Sequence, residues 1–157
     1  MKPNNVIRLL ESRKIPFTAF ELPPEKLGAM EAAQWMGVPP EQVYKTIVVM
    51  REGRGKPLLA LVPGPHEVNL KALAKAVGEK KVLLPTEREA ERLTGFKAGG
   101  ISPLALLNRG FQVVMDSSAQ ALENVYISGG QRGLDICLPV RDLAVLTGAA
   151  FAEISQK

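Results

Sequence analysis

The chain of 157 residues suits one domain, spanning 1–157, that buries roughly 68–70% of its unfolded surface; 46% of its residues are apolar and 23% charged. No apolar run approaches the ~20 residues of a membrane helix and the N-terminus lacks a signal-peptide core, so a cytoplasmic protein with no membrane partner is expected. Twenty Lys and Arg against 16 Asp and Glu give a formal charge of +4, compatible with a nucleic-acid partner, yet no block of five or six like charges marks one.

In chain order, the stretch NNVIRLLESRK (4–14) has Asn caps before a helical apolar spacing, and IPFTAFEL (15–22) alternates as a strand does. A helix is predicted over 25–38 with Gly37 ending it. QVYKTIVVM (42–50) and PLLALVP (57–63) flank the glycines of REGRG and read as a hairpin. Asn69 caps a helix over 70–78, and KKVLL (80–84) follows as a buried strand. Thr86 and Glu89 make a capping box for a helix over 87–93 that Gly95 closes. Strands are predicted over 111–116, 124–129 and 133–139, then a helix over 140–148. Interspersed helices and recurring hairpins point to a mixed α+β sheet.

The side-chain chemistry begins with an absence. Cys137 is the one cysteine and His66 the one histidine, so neither a disulfide framework nor a clustered zinc site is available, and no metal or cofactor is expected. His66 in VPGPHEVN reads as an exposed loop residue, and Cys137 in DICLP as a small buried apolar one. No G-x-S-x-G or similar nucleophile signature accompanies them.

Three features stand out against that background. Lys45 shares a strand face with Val43, Ile47 and Val49, while the opposite row of Tyr44, Thr46, Val48 and Met50 is no more polar. Its ammonium must snorkel to the sheet edge or lie in a pocket beside an anionic or carbonyl partner. In TGFKAGGISPLA, Gly99 and Gly100 open the backbone and Pro103 stiffens it around Ile101 and Ser102; such a loop is a tight turn or a cradle of N–H groups for an anion or oxyanion. In YISGGQRGLDICLP a second glycine pair follows a strand, with Ser128, Gly129 and Asp135 forming a turn with a solvated carboxylate or a second wall of the same pocket.

VYKTIVV, TGFKAGGISPL and VYISGGQRGLDICLPVRDLAVLTGAAFAEI together resemble, in order, the three motif blocks of the YbaK family, trans-editing deacylases that share a domain with bacterial prolyl-tRNA synthetase. The resemblance implies a mixed, barrel-like β-sheet flanked by helices and an aminoacyl-tRNA deacylase acting on a mischarged tRNA at its acceptor end, most characteristically Cys-tRNA(Pro). Prolyl-tRNA synthetase is an implied partner. In cysteine-specific members the substrate thiol attacks its own ester, which suits a chain with no nucleophile signature. By carry-over, Lys45 and the loop residues Gly99, Gly100 and Ile101 act on the reacting ester, and Phe20, Thr46, Ser102, Pro103, Ser128, Gly129 and Asp135 border the substrate, Asp135 through its amino group.

The chain departs from the cysteine-specific members at LALLNRG, where Arg109 stands in place of a lysine pair, and at Glu21–Pro24, where they tend to carry a histidine. Alternatives are a deacylase for another small amino acid such as alanine, a non-catalytic aminoacyl-tRNA binding module docking on a synthetase, and a hydrolase of another small activated ester. Lys80, Lys81, Arg88, Arg92, Lys97 and Arg132 are the candidates for a basic RNA-binding surface or are simply solvated.

Overall fold

The computed structural model describes residues 4–157. Helix α1 (Asn5–Ser12) starts at Asn4, whose side chain accepts the Ile7 N–H, and buries Val6, Ile7 and Leu10. Strand β1 (Thr18–Glu21) is shorter than expected, because Pro16, Pro23 and Pro24 remove ladder donors on both sides. Helix α2 (Ala29–Met36) begins only after Gly28, whose N–H donates to the Glu31 carboxylate, and Gly37 closes it at φ +69°; the expected first turn, residues 25–28, is irregular.

Strands β2 (Tyr44–Arg51) and β3 (Leu58–Pro63) form the expected antiparallel hairpin, with Tyr44 opposite Pro63 and Val49 opposite Leu58. A short strand β4 (Glu67–Val68) precedes helix α3 (Leu70–Val77), which Asn69 caps through the Ala72 N–H. Strand β5 (Val82–Leu83) is an edge strand on β2 and not the buried strand expected, with Leu83 37% exposed. Helix α4 (Glu87–Thr94) carries the reciprocal Thr86–Glu89 cap and ends at Gly95. Strands β6 (Gln112–Asp116), β7 (Asn124–Ser128) and β8 (Leu134–Pro139) and helix α5 (Val140–Thr147) lie close to their predicted places. Two strands with no sequence prediction, β9 (Ala150–Ala152) and β10 (Ser155–Gln156), follow α5.

One sheet runs β5-β2-β3-β6-β9, antiparallel through the hairpin and parallel from β3 to β9; a second runs β1-β8-β7, antiparallel; β10 pairs with β4. A bridge between Val43 and Tyr126 joins the two larger sheets. The mixed sheet expected is therefore two sheets meeting along β2 and β7, and among the described residues they do not close into a barrel.

The larger core lies between these sheets: Tyr44, Val48, Leu59 and Leu61 pack with Ile127, Leu134, Ile136 and Leu138 under α1 and α5. A second cluster sets Val49, Leu58, Ala60 and Val62 against Leu73 and Ala74 of α3. Both faces of the hairpin are thus covered, which is why LLALVP shows no polar alternation. Strand β3 is buried throughout, whereas β2 opens at Met50 and Arg51, where Arg51 pairs with Glu79, and again toward its N-terminal end beside the loops.

Candidate active site

Lys45 stands near that N-terminal end. Its backbone sits in the β2–β3 ladder opposite Val62, and its half-buried side chain donates from Nζ to the Gly64 carbonyl oxygen at 3.2 Å. The ammonium is therefore not snorkelled into solvent, and no carboxylate pairs with it among the described residues. Burial lowers its pKa, with the charge of Glu67 acting in the opposite direction. It lines a cavity of about 440 Å³ whose walls include Thr46, Gly99, Ile101, Ser128 and Asp135. The Thr46 hydroxyl, buried in that wall, has no hydrogen-bond partner among the described residues.

The loop at Gly99 approaches from the opposite side. Gly99 has φ +88°, which favours glycine, and a Cβ there would come within 3.3 Å of Lys26 Cα. The Gly100 N–H donates back to the Lys97 oxygen at 2.8 Å, and the Ala98 N–H to Glu91 Oε2 at 2.8 Å. The N–H groups of Gly99 and Ile101 donate to no group among the described residues. Gly100 itself is buried against the next loop, where a Cβ would lie 3.0 Å from both the Arg132 nitrogen and Gln131 Cα. Arg132 fastens the two loops, donating from Nε to the Ala98 oxygen at 2.7 Å.

Asp135 forms the floor. In the second sheet Ser128, Asp135 and Phe20 stand in one row across β7, β8 and β1, with Ser128 and Phe20 each paired directly to Asp135. The Asp135 carboxyl is 9% exposed, and burial alone raises its pKa to about 7. No ion pair reaches it among the described residues. Ser128 Oγ donates to the Gly99 oxygen at 3.5 Å, tying this row to the loop.

Of the residues singled out from sequence, the cavity thus gathers Lys45, Thr46, Gly99, Ile101, Ser128 and Asp135. It does not take in Phe20, whose ring packs on Tyr126 with centroids 5.8 Å apart. Nor does it take in Gly100, Ser102, Pro103 or Gly129. Ser102 is fully buried, its hydroxyl accepting the Leu104 N–H at 3.2 Å, and Gly129 is where a Cβ would collide with Leu134 Cγ at 2.6 Å. These residues hold the loops that carry the lining ones.

The remaining wall comes from Leu22 to Ala32, which sequence reading treated as a strand end and a helix. The signals there were the resemblance, which puts a histidine of the cysteine-specific members near Glu21–Pro24, and the proline pair at 23 and 24, which interrupts regular structure. His66 is half-buried, not exposed, with Nδ1 3.1 Å from Ser155 Oγ. Cys137 is half-buried rather than enclosed and contacts Tyr126, and burial raises its pKa. Arg109, where a lysine pair was expected, donates to the Thr94 oxygen and lies over the Phe96 ring, closing the end of α4. Among the described residues no group of His, Cys, Asp and Glu is arranged to hold a metal ion, and no helix is long and apolar enough to cross a membrane.

Known proteins resemble this chain in sequence and fold. The family model for the aminoacyl-tRNA editing domain matches residues 24–146. A candidate Cys-tRNA(Pro)/Cys-tRNA(Cys) deacylase of Enterococcus faecalis, EbsC, is 34% identical over 155 residues, covering 98% of this chain and 93% of that protein. A proline–tRNA ligase of Geobacter metallireducens is 29% identical over 111 residues, 71% of this chain but only 19% of the ligase. Among solved structures, a candidate trans-editing enzyme for prolyl tRNA synthetase superposes with a TM-score of 0.81 at 27% identity, covering 99% of this chain and 100% of that one. The matched segment runs through the lysine strand and both glycine loops that carry the three-block resemblance: the chain belongs to the aminoacyl-tRNA editing domain family.

Proposed function

We propose that the protein is a trans-acting deacylase that hydrolyses the ester of a mischarged tRNA, with Cys-tRNA(Pro) as its first substrate. The observation that carries this reading is the lining of one cavity by a partly desolvated ammonium, a buried carboxyl and two residues, Gly99 and Ile101, whose N–H groups have no acceptor among the described residues, with neither His66 nor Cys137 in the lining. Such a set can bind and orient an aminoacyl ester and stabilise charge on its carbonyl oxygen, and it holds no enzyme nucleophile of the serine or cysteine hydrolase kind.

The roles follow from charge. Asp135, once ionised, receives the α-ammonium of the amino acid. The Gly99 and Ile101 N–H groups face the carbonyl oxygen as it gains negative charge, and the Thr46 hydroxyl supplies a donor to a substrate oxygen. Lys45, held by Gly64, steers the terminal ribose and stabilises the departing ribose oxygen. For a cysteinyl ester the substrate thiol attacks the carbonyl carbon: a carbon–sulfur bond forms, the ester carbon–oxygen bond breaks, and the ribose oxygen leaves with the thiol's proton; water then opens the resulting cyclic thioester, breaking the carbon–sulfur bond and returning a proton to sulfur, to give free cysteine. The names of the enterococcal relative and of the solved structure support this substrate class, and the likeness to part of proline–tRNA ligases supports the proline tRNA and a synthetase as partner.

The test is a panel of tRNAs charged with cysteine, alanine, proline and serine, each followed for amino-acid release. Fastest release from Cys-tRNA(Pro) is expected. Preference for alanine would move the substrate and keep the reaction, whereas binding of the panel without release above the uncatalysed rate would make the protein a binding module.

A further inference from the structure

Trp35 is the one tryptophan of the chain, and it is 64% exposed. An isolated exposed apolar residue is ordinary on a protein surface, and position is what distinguishes this one. The cavity is lined by Gly28, Ala29, Glu31 and Ala32 at the start of α2. Trp35 follows Glu31 by four residues and Ala32 by three, so it continues their stripe about one turn further from the cavity. Helical side chains lean toward the helix N-terminus, which aims the indole back over Glu31 and Ala32 and toward the mouth. Met30, the other exposed apolar side chain of α2, lies on the opposite side of the helix.

The carboxylates of Glu25 and Glu31 line the same mouth, and positive charge stands among them. Lys26 lines the cavity, Lys97 is exposed next to the lining residue Ala98, and Arg132 is fixed against that residue through Nε. Glu87 pairs with Lys26, while Lys97 and Arg132 have no carboxylate partner among the described residues. An exposed indole one helical turn beyond one wall of a cavity of about 440 Å³, and two cations without a carboxylate partner among the described residues at the loops of another wall, match single-stranded nucleic acid, whose bases stack and whose phosphates are anionic. Resting on the deacylase reading, we propose that Trp35 is the stacking platform for an unpaired base at the 3′ end of the tRNA, with Lys97 and Arg132 taking the adjoining phosphates. It is a positioning residue, acting through the polynucleotide and not on the ester.

Being the sole tryptophan, it also reports on itself. Uncharged tRNA is titrated into the protein with indole emission followed, in parallel with the same tRNA trimmed of its unpaired 3′ nucleotides. A saturable quench by the intact tRNA that the trimmed one fails to give is expected. Trp35→Ala should weaken tRNA binding and raise KM about 5- to 150-fold with a much smaller change in kcat, and Trp35→Phe should recover most of that loss. An absent quench, an equal quench by trimmed tRNA, or unaltered tRNA affinity in Trp35→Ala would overturn the proposal. So would a change in sedimentation with tRNA affinity intact, which would assign the indole to a contact between copies. A quench without amino-acid release would sink the deacylase reading and leave the stacking assignment standing.

Discussion

Replacing Asp135 by Asn tests the buried carboxyl at the cavity floor through stability before any activity is measured. Burial raises its pKa from 3.8 to about 7 in the folded protein, so between those values the native carboxyl keeps a proton that the unfolded chain has released. The stabilising contribution is complete below about pH 4 and is lost as pH rises through about 7, the reverse of a salt-bridged carboxylate. At about 1.4 kcal/mol per pH unit, the wild type should lose roughly 2–3 kcal/mol relative to Asp135→Asn between pH 5 and pH 8, every other titration being common to both. Urea unfolding of the two proteins at half-unit pH intervals measures the difference directly. Profiles that stay parallel within about 0.5 kcal/mol would refute the buried, unpaired carboxyl and with it the site offered to the substrate ammonium. If the carboxyl is as described, kcat/KM of the wild type should rise through pH 7 as the anion forms, and Asp135→Asn should show neither the rise nor the wild-type plateau.

Further expectations rest on single contacts. Lys45→Ala should lower turnover of the mischarged tRNA by about 10²- to 10³-fold with stability held or raised, since burial already works against the ammonium; unchanged turnover removes the lysine from the chemistry. Gly129→Ala, whose Cβ would fall 2.6 Å from Leu134 Cγ in the core, should cost about 1–3 kcal/mol in urea unfolding, and a neutral result would contradict the packing of that turn. Asp116 is buried, yet hydrogen bonds from Ser118 and from the N–H groups of Ile154 and Ser155 hold its carboxyl below the usual range. Asp116→Asn should therefore destabilise by about 1.5–3 kcal/mol at pH 7, by a margin that narrows as pH falls below about 4; a margin that widens toward acid would refute it.

The elements legible in the sequence were those whose signal is local. Asn4, Asn69 and Thr86 each cap the helix that their side chains announce, and the β2–β3 hairpin follows from two apolar runs around a glycine loop. The strands β9 and β10 carry no such signal, because three residues beside β6 and two beside β4 are ordered only by long-range pairing. The site divides in the same way. Lys45 was visible because a charge breaks an apolar strand, and Asp135 because it stands in a hydrophobic one. Leu22 to Ala32 was not, since a wall made of irregular backbone and small side chains acquires meaning only when the turn at Gln131–Gly133 closes against it, Leu22 donating its N–H to the Gly133 oxygen at 2.9 Å. Ser102 and Pro103 were drawn into the site by motif, yet their burial and the Leu104 N–H bond make them supports of the loop.

Those supports bear on how catalysis without an enzyme nucleophile could work at all. Glycines in loops suggest flexibility, but here they permit close contact. At Gly100 a side chain would meet the backbone of Gln131 and Arg132, and at Gly133 the backbone of Leu22 and Pro24, each at 3.0–3.1 Å. Three loops are thereby stacked main chain on main chain, with the Gly100 N–H bonded to Lys97 and the Arg132 guanidinium bonded to Ala98. On the proposed mechanism, contacts of this kind would hold the Gly99 and Ile101 N–H groups in place as charge develops on a carbonyl oxygen, which is the condition under which main-chain donors are most effective. Side chains at those glycines would force the loops apart and return to the amides the freedom that their absence removes.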